Sequence, residues 1–112
     1  VINEADIERL LRERLSEYGF KVLKLYTPGN TGTMDRMILN PRYSPGIPRF
    51  IELKRPGKKL RKQQAVIAAD WIRRGCEVLK PCNTTHEVEL LCQELIAEVY
   101  DDYVLAKRED YE

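Results

Sequence analysis

The sequence predicts a mixed α/β sandwich, a small central sheet flanked by helices, and three observations carry that expectation. Apolar residues recur at spacings of three and four in stretches near the start, the middle and the end of the chain, the period of an amphipathic helix. Short runs rich in strand formers lie between them. Clusters of Gly, Pro and Asn separate the runs, so the elements read in the order α-β-β-β-α-β-α.

Residues 3–18 form the first predicted helix, with Ile7, Leu10, Leu11, Leu15 and Tyr18 on one stripe. Asn3 is a natural N-cap with Asp6 three residues on, and Gly19 supplies the stop. Residues 20–26 are a short strand, followed by the loop Thr27–Thr33. Met34 to Leu39 is the second strand, closed by Asn40-Pro41 and a turn-rich stretch through Pro48. Arg49 to Lys54 is the third, with Ile51 and Leu53 on one face and Phe50, Glu52 and Lys54 on the other. The short connection makes strands two and three an antiparallel hairpin.

After Pro56-Gly57 a helix is expected from about residue 60 to 74, carrying Val66, Ile67, Trp71 and Ile72 and stopped by Gly75. Residues 76–80 are a fourth strand, cut by Pro81. Thr84 with Glu87 matches a capping box and opens a last helix through Val88, Leu91, Leu95, Ile96 and Val99. From Asp101 the chain is acidic and is expected to fray. One domain over residues 1–112 is the expectation, with a core at about 4–80 and the C-terminal helix and tail at about 84–112.

At 43% hydrophobic and 33% charged residues, the composition suits a globular chain and excludes a disordered one. No apolar run reaches the roughly 18–20 residues of a membrane span, and no basic-then-apolar leader is present, so a cytoplasmic protein without membrane contact is expected. Cys76, Cys82 and Cys92 are odd in number and irregularly spaced, which does not make a disulfide framework. With His86 they offer zinc-ligand types, yet no close Cys pair anchors a knuckle, and buried thiols in the core are the better reading. The formal net charge of +1 conceals two opposed regions. Between Arg49 and Lys62 stand seven basic residues against one acid, and from Glu87 to Glu112 nine acids against two bases.

One constellation carries chemistry. Asp35 opens the second strand after a glycine-bearing loop, and Glu52 and Lys54 share a face of the third. The hairpin brings Asp35 alongside them. Two carboxylates suit a hard cation such as Mg²⁺, which takes oxygen ligands and keeps several waters. A lysine beside them can orient water and steady charge developing on a phosphate. An isolated E-x-K is an ordinary solvated strand face, but here Ile51 and Leu53 make this a core strand, and buried charge needs partners or a function.

The segments Pro28-Gly29-Asn30-Thr31-Gly32-Thr33-Met34-Asp35-Arg36 and Ile51-Glu52-Leu53-Lys54-Arg55-Pro56-Gly57-Lys58-Lys59, followed by Gln64, resemble the virus-type replication-repair nuclease (VRR-NUC) domain of the PD-(D/E)XK nuclease superfamily. The resemblance spans residues from about 4 to 80 and implies a restriction-endonuclease-like α-β-β-β-α-β core. It implies Asp35 and Glu52 as metal ligands, the Leu53 backbone carbonyl as a further ligand, and Lys54 and Gln64 as catalytic residues. The cofactor implied is Mg²⁺ or Mn²⁺. Met34 departs from the family pattern, which usually has proline before the aspartate; proline shapes backbone there and performs no chemistry.

The family also uses a glutamate from the first helix, for which Glu4 and Glu8 are the candidates. At about 100° per residue, Glu4 lies about 40° from the centre of the apolar stripe and Glu8 about 80°. Glu4 is taken as the catalytic and metal-binding position, the other reading being an exposed acid favoured by the helix dipole. Arg36, Arg55, Lys58, Lys59, Arg61 and Lys62 are the expected DNA contacts, since Lys and Arg beside a helix start bind phosphate well. The loop Thr27–Thr33 lacks the Lys-Ser/Thr ending of a nucleotide-binding loop.

The expected activity is metal-dependent endonuclease cleavage of branched DNA such as four-way junctions, as in stand-alone phage or prophage enzymes of this type. One chain holds one such site, so paired incisions require a homodimer, through the final helix or the turn region 40–48. A non-catalytic DNA-binding module of the same fold, or a helicase-associated nuclease acting on flaps, nicked or single-stranded DNA, are the rival readings.

Overall fold

The computed structural model describes residues 2–26, 34–54, 57 and 62–111. Helix α1 (Glu4–Ser16) opens on the Asn3 capping box: the Asn3 side chain accepts from the Asp6 N–H and the Asp6 carboxylate accepts from the Asn3 N–H. Two orphan donors are thereby satisfied, as the sequence spacing implied. The helix stops where Gly19 takes a left-handed φ of +87°, open to a residue without Cβ. Strands β1 (Lys21–Lys24), β2 (Arg36–Leu39) and β3 (Arg49–Ile51) then form an antiparallel meander, pairing Val22 with Ile38 and Met37 with Phe50.

Helix α2 (Lys62–Arg73) crosses over to β4 (Glu77–Val78), which lies parallel to β3, completing a mixed sheet of order β1-β2-β3-β4. The strands are shorter than the apolar runs suggest. Past Ile51 the chain nonetheless stays tied to the β4 side: the Lys54 N–H donates to the Cys82 carbonyl (2.9 Å) and the Cys82 N–H to the Glu52 carbonyl (3.3 Å). This pairing holds Glu52, Leu53 and Lys54 in place.

One sheet face carries the core. Ile38, Ile51 and Leu53 pack with Ile7, Leu11 and Leu15 of α1 and with the last helix. That helix, α3 (Thr85–Tyr111), contributes Val88, Cys92, Leu95 and Val99. Its start carries part of the predicted box: the Glu87 N–H donates to Thr84 Oγ1 (3.0 Å), while the Glu87 carboxylate accepts from Thr84 Oγ1 (3.2 Å) and from the Asn83 N–H (3.1 Å). Cys82 and Cys92 are buried here, and burial pushes their thiols up to about 11 and about 12. They fill the core, as expected, and are inert thiols at neutral pH.

The expected fraying from Asp101 is corrected: α3 runs on to Tyr111, 27 residues in all. The physical reason is Tyr103, one helical turn beyond Val99. Its ring packs against Tyr18 (centroids 4.8 Å) and Tyr43 (6.1 Å), with Lys107 over its face. The opposite sheet face is covered by α2, where Trp71 meets Phe50 edge-on at 5.1 Å. Of the predicted stripe, Val66 and Ile72 are exposed, and the one buried residue of α2 is Gln64. No described helix is long and apolar enough to cross a membrane.

Candidate metal and nucleic-acid site

The site forms where the end of β3 passes the start of β2 and the first turn of α2. Glu52 is 4% exposed, one residue past the end of β3, where its carbonyl accepts from the Cys82 N–H. One oxygen, Oε1, accepts from the Gln64 amide at 3.1 Å and pairs with the Lys54 ammonium at 3.0 Å. The other, Oε2, is buried with no hydrogen-bond partner among the described residues. A buried carboxylate oxygen left bare costs several kcal/mol unless something else meets it.

Asp35 is joined to the same strand by its side chain. The Leu53 N–H donates to Asp35 Oδ1 at 3.3 Å, while Arg36 Nη1 stands 3.1 Å from Oδ2. In extended chain the N–H and C=O of one residue point the same way. The Leu53 carbonyl therefore lies on the side of Asp35. Burial, then the Glu52 charge, raises the Asp35 carboxyl from its ordinary value to about 6, with Arg36 opposing.

These residues fit a hard divalent cation. A bare Glu52 oxygen and a carboxyl held up by its neighbour's negative charge are both relieved by a cation placed between them. Among the described residues no three His, Cys, Asp or Glu side chains converge on one metal-sized point. Glu4 is therefore not gathered with Asp35 and Glu52, and the carboxylates that stand together are Asp35 and Glu52, a number that Mg²⁺ or Mn²⁺ can use while keeping several waters.

The two first-helix glutamates separate by their partners. Glu8 is engaged: both its oxygens accept from Arg12 Nη1 (2.8 and 3.1 Å), and its Oε1 lies 4.0 Å from Arg36 Nε. Glu4 is exposed at the first turn of α1, and its charge is felt at Asp35.

The basic residues divide more sharply. Arg36 as a DNA contact is corrected: it is 6% exposed, with Nη1 on the Asp35 carboxylate and backbone carbonyl and Nε turned toward Glu8. The cause is strand periodicity, since Arg36 shares a face with Ile38, and that face meets α1. Its position two residues before Ile38 was the signal in the sequence. Arg49, which opens the basic run, is likewise buried, bonded to Glu77 (3.0 Å), Glu98 and Asn40 (3.2 Å) as a tie between β3, β4 and α3. Lys62 is exposed at the start of α2. Arg55, Lys58, Lys59 and Arg61 lie outside the described residues.

No profile of a known protein family and no curated protein matches the chain. A solved structure titled "VRR_NUC domain" does: it is 24% identical and superposes with a TM-score of 0.69. The match covers 83% of this chain and 97% of that one. Gathering Asp35, Glu52, Lys54 and Gln64 at the end of a four-stranded mixed sheet, the chain thus has the fold of a VRR_NUC domain.

Proposed function

We propose that the chain is a divalent-metal-dependent deoxyribonuclease, an endonuclease that hydrolyses phosphodiester bonds in branched DNA such as four-way junctions and works as a homodimer. The observation that carries the reading is the Glu52 carboxylate, buried with one oxygen bare and the other held by Lys54 and Gln64. Buried carboxylate oxygens are hydrogen-bonded in the large majority of cases, so a bare one calls for an explanation, and a bound cation supplies it. Similarity to a VRR_NUC domain supports a nuclease-type domain, with DNA as its partner.

Asp35, Glu52 and the Leu53 carbonyl would hold Mg²⁺ or Mn²⁺, with Glu4 completing the set from α1. When bound, such an ion supplies positive charge that polarises a phosphodiester and makes water more acidic. Gln64 fixes the Glu52 carboxylate through Oε1, so its free oxygen keeps one direction. Lys54, its ammonium 3.0 Å from Glu52, would donate to the attacking water or to a non-bridging phosphate oxygen, steadying charge that builds there during attack. Lys62, exposed at the start of α2, supports a contact to the phosphate backbone, and the same role is proposed for Arg55, Lys58, Lys59 and Arg61.

One site per chain makes paired cuts a task for two copies. Exposed Leu90, Tyr100 and Leu105 on α3 and Ile47 in the turn region support a second copy docking there. The test is incubation with labelled junction, flap, duplex and single-stranded DNA in Mg²⁺ or Mn²⁺, with Lys54→Ala as control. Junction cleavage by the wild type alone is expected, and DNA binding that falls steeply with salt. Equal degradation by both proteins would remove the catalytic assignment. A monomer at micromolar concentration that cuts both strands in one binding event would remove the dimer.

A further inference from the structure

Arg36 stands behind the proposed metal ligands without being one. Its guanidinium is 6% exposed, and Nη1 makes two contacts to its neighbour, the Asp35 carbonyl and Oδ2, both at 3.1 Å. Its Nε has no hydrogen-bond partner among the described residues, 4.0 Å from a Glu8 oxygen that Arg12 already occupies at 2.8 Å. Glu8 therefore draws Arg36 back toward α1 while Asp35 draws it forward. On the other side Lys54 pairs with Glu52 at 3.0 Å. Each of the two carboxylates is thus met by its own protein cation.

We propose that Arg36 is a resident counter-cation, a positioning residue that holds Asp35 in the metal-free protein and competes with the divalent ion for it. Glu8 sets how strongly Arg36 competes. This rests on reading Asp35 and Glu52 as the ion's ligands. The physical consequence is a site that binds metal weakly alone and more strongly once phosphate oxygens add negative charge. A guanidinium is suited to the task because it stays charged at any accessible pH and spans a carboxylate and a carbonyl at once.

The test is Mn²⁺ binding by electron paramagnetic resonance at pH 8, without DNA, for wild type, Arg36→Met, Glu8→Gln and the double variant. A unit charge roughly 6 Å from a divalent ion changes its affinity about tenfold even in the dielectric of water. Arg36→Met should therefore bind Mn²⁺ about tenfold more tightly, although its metal-free melting temperature falls. Structural damage would move affinity the other way. Glu8→Gln should bind several-fold more weakly, and this effect should shrink in the double variant to what the Glu8 charge does directly, since the remainder acts through Arg36. Should Arg36→Met fail to fold, Glu8→Gln decides: unchanged or tighter binding overturns the proposal. Unchanged or weaker binding by a folded Arg36→Met overturns it while leaving the metal site standing. Absence of Mn²⁺ binding by the wild type overturns the metal site and this proposal with it.

Discussion

Replacing Asp35 with Asn should stabilise the metal-free protein. The Asp35 carboxyl is raised from 3.8 to about 6, by burial first and the Glu52 charge second. A carboxylate whose folded pKa lies above its unfolded one contributes stability that is complete below the unfolded value and is lost as pH rises through the folded one. At pH 7.5 the folded chain therefore holds an unfavourable charge. The shift of about two units, at 1.36 kcal/mol each, makes its cost about 3 kcal/mol. Asn removes the charge and its Oδ1 can still accept from the Leu53 N–H. The side chain is 23% exposed, so a gain of about 2–3 kcal/mol is expected, or a rise of roughly 10 °C in melting temperature for a chain of this size. The assay is urea or thermal unfolding in EDTA at pH 7.5 and pH 4. The advantage should be largest at pH 7.5 and nearly gone at pH 4, where the wild-type carboxyl is protonated in the folded state. Saturating Mg²⁺ should reverse the order at pH 7.5 by stabilising only the wild type. An Asp35→Asn protein no more stable than wild type at pH 7.5, or equally favoured at both pH values, would refute the reasoning.

The remaining predictions are briefer. Glu4→Gln should sharply slow cleavage while Glu8→Gln leaves most of it; the opposite ranking in a junction-cleavage assay would assign the first-helix role to Glu8. Gln64→Ala should cost about 1–3 kcal/mol in urea unfolding, because a buried amide that donates to a carboxylate is lost. Tyr103→Ala should lower the melting temperature and loosen α3 beyond Val99, visible as faster amide exchange there, since Tyr18 and Tyr43 lose the ring they pack on.

Much of the fold was legible because its signals are local. The caps at Asn3 and Thr84 involve residues three apart, and the α1 stripe of Ile7, Leu11 and Leu15 is a period that any window of the chain displays. The hairpin of β2 and β3 follows from a short connection between two apolar runs. What failed were inferences drawn from composition without direction. Placing Arg36 among the DNA contacts and counting Arg49 in the basic run ignored that they sit on alternate positions with Ile38 and Ile51, facing the core. Reading the residues after Asp101 as acidic missed that Tyr103 continues the buried stripe.

By itself, then, the sequence determined the order of elements and named candidates for the site, Asp35, Glu52, Lys54 and Gln64. Only the tertiary structure decided their partners. Residues 17 positions apart in the chain share an oxygen-bearing corner because Leu53 hands its N–H to Asp35. It also decided that one Glu52 oxygen is bare, and that Glu8 is engaged by Arg12 while Glu4 is exposed. Spacing along a chain sets which face a residue occupies. The charge state and free valence of a buried group depend on what other segments bring within a few ångströms, and that is a property of the packed whole.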